Sequence, residues 1–438
     1  MSGTRGRYFR NTSWMMVSRV FRLGAAVLIS VLTARYLGEG SFGELNYLLS
    51  FVMLFGALGT LGLGDILVRE LEASPADEDE ILGTALLLRL GGTLLMTAAA
   101  LGTAACLGRG SAVVRLMIPV CAFQLLQNQG RTFERRFEAS VQAKWSSIAQ
   151  TLAVLASLGT SVGLILTGAS MPAFLAVKVV ESAVLLVALT AFHRRIGGTR
   201  VFRFSKARAG QLLRAGLPLM LTGTFLLIYM RIDQVMIRHM LDKEAVGCYA
   251  AAVKLSEAWY FLPSVIAASL FPAILSARRE DTVRYRERLQ MLYELMTWLG
   301  IAVAVPVTLC SSWIVRLLYG EPFAPAGPVL ALYVWAGVFV FQAVVRGKWI
   351  VAEHLQRYAV VFTALATTVN VVLNAILIPR VGLTGAAWAT VISCACQSVL
   401  VPALFAPTRP SARAILRSLL PVHLLREGTG LYRAWRRR

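Results

Sequence analysis

Hydrophobic positions along this chain fall in long runs, and polar positions collect in the joins between them. A helix needs about 20 mostly apolar residues to cross a bilayer. Twelve runs qualify: 12–34, 43–66, 81–107, 112–130, 147–167, 171–192, 213–237, 247–274, 291–315, 327–351, 358–378 and 382–405. The pattern predicts an all-α polytopic membrane protein with about 12 transmembrane helices. A long basic join, HRRIGGTRVFRFSKARAGQLLR at 193–214, follows the sixth run. It divides the chain into a six-helix lobe at 1–192, a basic cytoplasmic linker at 193–212, a second six-helix lobe at 213–405 and a basic cytoplasmic tail at 406–438. The first run follows Arg5, Arg7 and Arg10, as the core of a signal peptide would. It is too long for that role and lacks a small-residue cleavage site, so it is expected to stay as an anchor.

Composition agrees with the runs. The chain is 57% hydrophobic and 15% charged, where a soluble domain carries about 25% charged residues. Its net charge of +21 raises the question of nucleic acid. The loops answer it: 31 of the 44 Lys and Arg lie in the joins on the N-terminal side of the membrane, and seven in the joins opposite. That asymmetry predicts a cell-membrane protein with both termini cytoplasmic, and it accounts for most of the basic balance without nucleic acid. The terminal RAWRRR reads as a solvated end resting on anionic lipid. Six cysteines lie in or beside apolar runs with no CxxC spacing, and four histidines are scattered. No metal site or cofactor is expected. The acidic run DEDE at 77–80 reads as a solvated cytoplasmic turn.

A weak repeat underlies the two lobes. ARYLGEGSFGELNY joins the first two runs and IRHMLDKEAVGCYA joins the seventh and eighth. Aligned on Gly43 and Gly247, they place Leu37 on Leu241. Two like-oriented halves suggest a transporter of parallel repeats with its substrate site between them. Gly56, Gly59, Gly62 and Gly64 punctuate the second run, and Pro218, Pro263, Pro272 and Pro306 fall in or near later ones. They serve either close helix packing or hinges for alternating access.

Six basic residues remain once those of the joins and run ends are counted: Arg19, Arg22, Arg89, Lys178, Arg231 and Lys254. A charge at a helix centre costs about 2.5–3.5 kcal/mol on the insertion scale, so none should face lipid unless it reaches the interface. Arg19, Arg22 and Arg89 lie in the cytoplasmic third of their spans, where snorkelling is an alternative to lining a cavity. Glu181 follows Lys178 by three residues, and Glu257 follows Lys254 by three, so each pair shares a helix face. Asp233 follows Arg231 by two, so those side chains look toward different partners. These pairs either neutralise one another or build a wet, charged wall. The cations outnumber Asp233, Glu257, Glu181 and the deep Glu294, and a net-positive cavity suits a phosphate or diphosphate, which guanidinium grips bidentately. Gln124, Gln127, Asn128, Asn370, Asn374 and Gln397 are candidates for binding sugar hydroxyls, or simply interhelical glue.

The opening, RNTSWMMVSRVFRLGAAVLISVLTARYLGEGSFGELNYLLSFVMLFGALGTLGLGDILVREL, resembles that of the Wzx-type O-antigen (polysaccharide-repeat) flippases of the multidrug/oligosaccharidyl-lipid/polysaccharide superfamily. The ARYLG…FG…N turn and IPRVGLTGAAWATVIS at 378–393 carry the likeness, which spans about residues 10–405. The resemblance implies two six-helix lobes around a central cavity open alternately to each face. It also implies that the cargo is an oligosaccharide on a polyprenyl diphosphate, flipped from the cytoplasmic to the outer leaflet for surface polysaccharide assembly. On that reading the protein is not an enzyme, and the cationic cavity maps onto Arg19, Arg22, Arg89, Lys178, Arg231 and Lys254. Asp233, Glu257 and Glu181 are candidates for ion coupling, and a polysaccharide polymerase is a candidate partner. The related peptidoglycan lipid flippases have fourteen helices, where twelve runs are found here. The competing readings are a multidrug or cation-coupled extruder of the same superfamily and a membrane-embedded polymerase or glycosyltransferase. The latter usually needs a loop domain with paired carboxylates. No Walker A motif occurs, which argues against direct drive by ATP.

Overall fold

The computed structural model describes residues 2–108, 110–198 and 201–420, with side chains from position 18 onward except at 143, 279 and 280. All regular structure among the described residues is helical. The helices in chain order are α1 (Ser2–Leu54), α2 (Gly56–Thr60), α3 (Gly64–Ala73), α4 (Glu78–Cys106), α5 (Ser111–Ala139), α6 (Ala143–Leu166), α7 (Met171–Arg195), α8 (Lys206–Met240) and α9 (Lys243–Glu257). They continue with α10 (Phe261–Glu280), α11 (Thr282–Tyr319), α12 (Ala326–Tyr333), α13 (Ala336–Ala352), α14 (Gln356–Val381), α15 (Leu383–Ala395), α16 (Val401–Leu404) and α17 (Arg409–Arg417).

Among the described residues, eleven helical segments are long and apolar enough to cross a membrane, the first being Ser18–Leu54. A straight α1 of 53 residues would measure about 80 Å, far beyond a hydrocarbon core of about 30 Å. Gly38 breaks it, at φ 71° and ψ 170°. The segment therefore holds the first predicted run and the start of the second, and the other ten segments match the remaining runs one to one. The second run, 43–66, is not one helix. It pauses at Phe55, restarts as α2, and turns at Leu61 and Gly62 with positive φ. Gly62 is required twice over, because a Cβ there would also strike the Gly216 carbonyl of α8. The chain then resumes as the short amphipathic α3, which buries Ile66, Leu67 and Leu71.

By packing, the chain forms two compact units: Met1–Arg238 with Asp242–Gly247, and His239–Leu241 with Cys248–Arg438. The polar run at 193–212 shows where the chain leaves the membrane, but it does not say on which bundle the next helix packs. Helix α8 lies with the first unit, where Ser50 Oγ donates to Gln234 Oε1 at 2.8 Å and Arg238 Nε meets Glu44 Oε2 at 3.2 Å. In the same unit the two aligned turns meet, with Gly40 against Glu244 and Gly43 against Lys243 and Gly247.

The DEDE run is not a solvated turn, which corrects the reading from sequence. The basic linker closes on it. Arg208 lies among Asp77 at 3.0 Å, Glu70 at 3.5 Å and Glu80 at 3.6 Å, while Arg203 meets Asp79 at 3.3 Å. Arg136 of α5 takes Glu78 at 3.3 Å. Backbone contacts reinforce the charges: Arg203 N donates to the Asp79 carbonyl, and Ser205 N to Thr84 Oγ1. Gly83 has no side chain to keep the linker backbone away. Ion partners more than 100 residues apart are invisible to a local reading of charge. Leu212 of α8 completes the adjoining apolar cluster of Leu63, Leu67, Ile81 and Leu82.

The second unit packs around α11, with Tyr293, Met296, Phe341, Val345 and Phe362 in its core. Part of the predicted tail is structured. Helix α17 buries Ser411, Ala412 and Ile415. Tyr293 and Ser411 hydroxyls meet at 3.0 Å, those of Thr297 and Ser418 at 2.6 Å, and Gln290 Nε2 donates to the Ala414 carbonyl at 3.2 Å. Residues 421–438, including RAWRRR, lie outside the described residues.

Candidate functional site

Helix α5 carries Gln124, Gln127, Asn128, Arg131, Glu134 and Arg135, each three or four residues from another of the set, so they share one polar stripe. Glu134 lies toward its C-terminal end and accepts from Gln150 Nε2 of α6 at 2.6 Å. From α1, the half-buried Arg22 donates to Ser18 Oγ at 2.8 Å, and Ser18 in turn meets Thr151 Oγ1 of α6 at 3.1 Å. Arg22 lies within electrostatic reach of Arg19 and Glu134, and Arg131 within reach of Glu134 and Arg135. Arg135 is held by Glu138 at 2.7 Å and Asp65 at 3.6 Å. Glu134 is thus within reach of Arg22 and Arg131, with Arg19 beside Arg22, so guanidiniums outnumber the carboxylate. Arg19 and Arg131 are exposed. Such a cluster offers several forks of N–H donors to an anion with multiple oxygens.

Of the other predicted cations, Arg89 adjoins this cluster, within electrostatic reach of Arg131, Arg135 and Glu134, while Lys178, Arg231 and Lys254 do not share these contacts. Arg89 neither snorkels nor faces a chamber within its unit: it is 2% exposed. It donates to the Asn128 carbonyl at 3.2 Å and Thr132 Oγ1 at 2.9 Å, and so ties α4 to α5. Thr93 and Asn128 extend this contact, with Asn128 Nδ2 donating to Thr93 Oγ1 at 3.1 Å. Lys178 meets Glu181 at 2.7 Å, and Ser157 of α6 donates to the same carboxylate oxygen at 3.1 Å. The local neutralising pair is thus the observed one there. Arg231 is half-buried while Asp233 is 3% exposed, which places the two on different faces of α8, as a two-residue step of about 200° requires. Lys254 and Glu257 are both half-buried on the part of α9 that belongs to the second unit.

Several amides expected to meet sugar hydroxyls instead join helices. Asn374 donates to Asn370 at 3.0 Å, and Asn370 reaches Ser393 of α15 at 3.4 Å, both asparagines being fully buried. At Gln397 it is the main-chain carbonyl, not the side-chain amide, that accepts from Arg346 at 2.7 Å. Arg346, near the end of the run 327–351, is 5% exposed, with its guanidinium 5.6 Å from the Phe362 ring.

Arg131 and Glu134 were missed as site residues because hydropathy ends the fourth run at 130, whereas α5 continues to Ala139. The periodic polar stripe was the signal that could have found them. Among the described residues no three His, Cys, Asp or Glu side chains gather as metal ligands.

Residues 8–278 match the family described as polysaccharide biosynthesis protein. Two curated relatives are from Haloferax volcanii. One is a probable flippase, AglR, 28% identical over 39% of this chain and 37% of its own length. The other is a probable low-salt glycan biosynthesis flippase, Agl15, 25% identical over the same shares. The chain thus spans 37% of the length of these relatives. Among solved structures, the fold is similar to that of the lipid II flippase MurJ, with a TM-score of 0.67 and 15% identity over 93% of this chain and 90% of that one. An inward-facing multidrug resistance MATE family transporter of the MOP superfamily gives the same TM-score and identity over 92% and 96%.

Proposed function

The chain belongs to the polysaccharide biosynthesis protein family, and from that premise we infer that it is a transporter that flips a lipid-linked oligosaccharide across the membrane. The observation that carries this reading is the surplus of Arg19, Arg22 and Arg131 over Glu134 on helices built to cross a bilayer. A diphosphate between lipid and sugar is the anion such a cluster fits. The cargo is therefore a polyprenyl-diphosphate-linked repeat unit, moved from the cytoplasmic to the outer leaflet by alternating access of the two lobes. The names of the relatives and the fold shared with transporters support transport over catalysis. Both termini are cytoplasmic on the positive-inside asymmetry. Arg231 and Lys254 are secondary candidates for the cargo's charge. Asp233, Glu257 and Glu181 are the carboxylates through which an ion gradient would act, and a polysaccharide polymerase is a natural consumer of the product.

Flipping of a labelled polyprenyl-diphosphate oligosaccharide in proteoliposomes tests the reading. Arg22→Ala and Arg131→Ala are expected to cut the rate at least tenfold with folding retained. Wild-type rates in both variants, or efflux of cationic dyes with no glycolipid movement, would overturn it.

A further inference from the structure

We propose that the exposed face of α17 is a docking surface for an anionic phospholipid leaflet, with Arg409, Arg413 and Arg417 binding headgroup phosphates. The helix has two faces of different chemistry. Ser411, Ala412 and Ile415 are buried against the second unit. Arg409, Arg413 and Arg417 are all exposed. At 100° per residue their four-residue spacing sweeps them over only about 80° of the helix surface. Leu416 stands beside Arg409 on that arc, and Leu416, Leu419 and Leu420 are 53%, 55% and 67% exposed.

Depth argues for lipid over water. Helix α11 begins with the charged stretch Arg284–Arg288, and between Arg288 and Arg316 it carries a single charge, Glu294. The three contacts that hold α17 fall on Gln290, Tyr293 and Thr297. These lie about 3–14 Å along α11 from Arg288 at 1.5 Å per residue. Helix α17 is therefore held at the polar–apolar boundary, the level of headgroups and upper acyl chains. At that level an exposed leucine enters acyl chains while a neighbouring arginine reaches phosphate. In bulk water the same three leucines would be an uncompensated apolar patch next to like charges. The sequence that follows adds Arg426, Arg433, Arg436, Arg437 and Arg438, and basic clusters of this kind favour acidic lipid.

The surface makes a specific lipid preference measurable without reference to transport. The full chain carrying p-benzoylphenylalanine in place of Leu416 is reconstituted in vesicles of equal parts phosphatidylglycerol and phosphatidylcholine, and irradiated. Lipid adducts are identified by mass spectrometry. The expected result is an adduct enriched several-fold in phosphatidylglycerol. The enrichment should fall to parity when Arg409→Gln, Arg413→Gln and Arg417→Gln are combined. These side chains are exposed, so the variant is expected to fold. A probe replacing Leu309, which is 80% exposed in mid-α11, should crosslink lipid identically in both backgrounds and reports proper insertion. Absence of a lipid adduct at 416, or a phosphatidylglycerol preference that survives loss of the three arginines, would overturn the proposal.

Discussion

Gly43 and Gly247 lie backbone to backbone, each packed on the segment that precedes the other. A Cβ on Gly43 would overlap the Lys243 carbonyl and stand 2.8 Å from Gly247 N, and a Cβ on Gly247 would overlap the Glu39 carbonyl. Glu39 precedes Gly43 by four residues and Lys243 precedes Gly247 by four, so the contacts exchange under the repeat alignment. Exchange of i–j with j–i marks a two-fold relation, here a local one between two turns of a single chain. The repeat suggested by a short loop match thus has a physical counterpart. Substitution of either glycine must push the two segments apart. Gly43→Val is expected to lower the melting temperature by several degrees, in line with an overpacking cost of about 1–3 kcal/mol. Gly247→Val should do the same, and the double variant should cost less than the sum, because one separation relieves both clashes. Gly91→Ala, at a glycine with open space around it, serves as a control that leaves melting unchanged.

Arg89 and Arg22 are expected to separate stability from function. Arg89→Gln removes two charged hydrogen bonds between α4 and α5, each worth about 1.5–3 kcal/mol when buried. Thermal unfolding should shift down clearly, and cargo affinity of the surviving folded protein should stay within twofold. Arg22→Gln, at a half-buried position, should leave melting near wild type and weaken cargo binding. Titration of a diphosphate lipid followed by melting curves reads both effects.

The linker clamp predicts a protease phenotype. Arg208 is 18% exposed among three carboxylates. Arg208→Gln should speed tryptic cleavage after Arg203 and Lys206 several-fold. High salt should accelerate cleavage of the wild type toward the variant's rate, since screening weakens partly exposed charges. Equal cleavage rates at low salt would show that the backbone contacts at Arg203 and Ser205 suffice.

Lys178 and Glu181 should behave as a coupled pair. Lys178→Met alone leaves the Glu181 carboxylate with only the Ser157 hydroxyl among its described partners, and it should destabilise the protein more than Lys178→Met with Glu181→Gln does. If flipping responds to Glu181→Gln while melting does not, the carboxylate has an ion-coupling role beyond its lysine.

The sequence by itself placed most of the crossings, ten of its twelve runs each matching one membrane-length helical segment, because a run of about 20 apolar residues is best satisfied as a helix in lipid. The separate faces of Arg231 and Asp233 and the pairing of Lys178 with Glu181 were legible too, since helical geometry alone sets them. Only the tertiary structure decided which charges meet across the chain. It gave the DEDE carboxylates to the linker, buried Arg89 between two helices, drew Arg131 and Glu134 toward Arg22, and seated α17 on α11. Hydropathy averages over a window and records how much polarity a segment holds. It does not record direction, and partners more than 100 residues apart are chosen by packing, where one buried donor must find one acceptor.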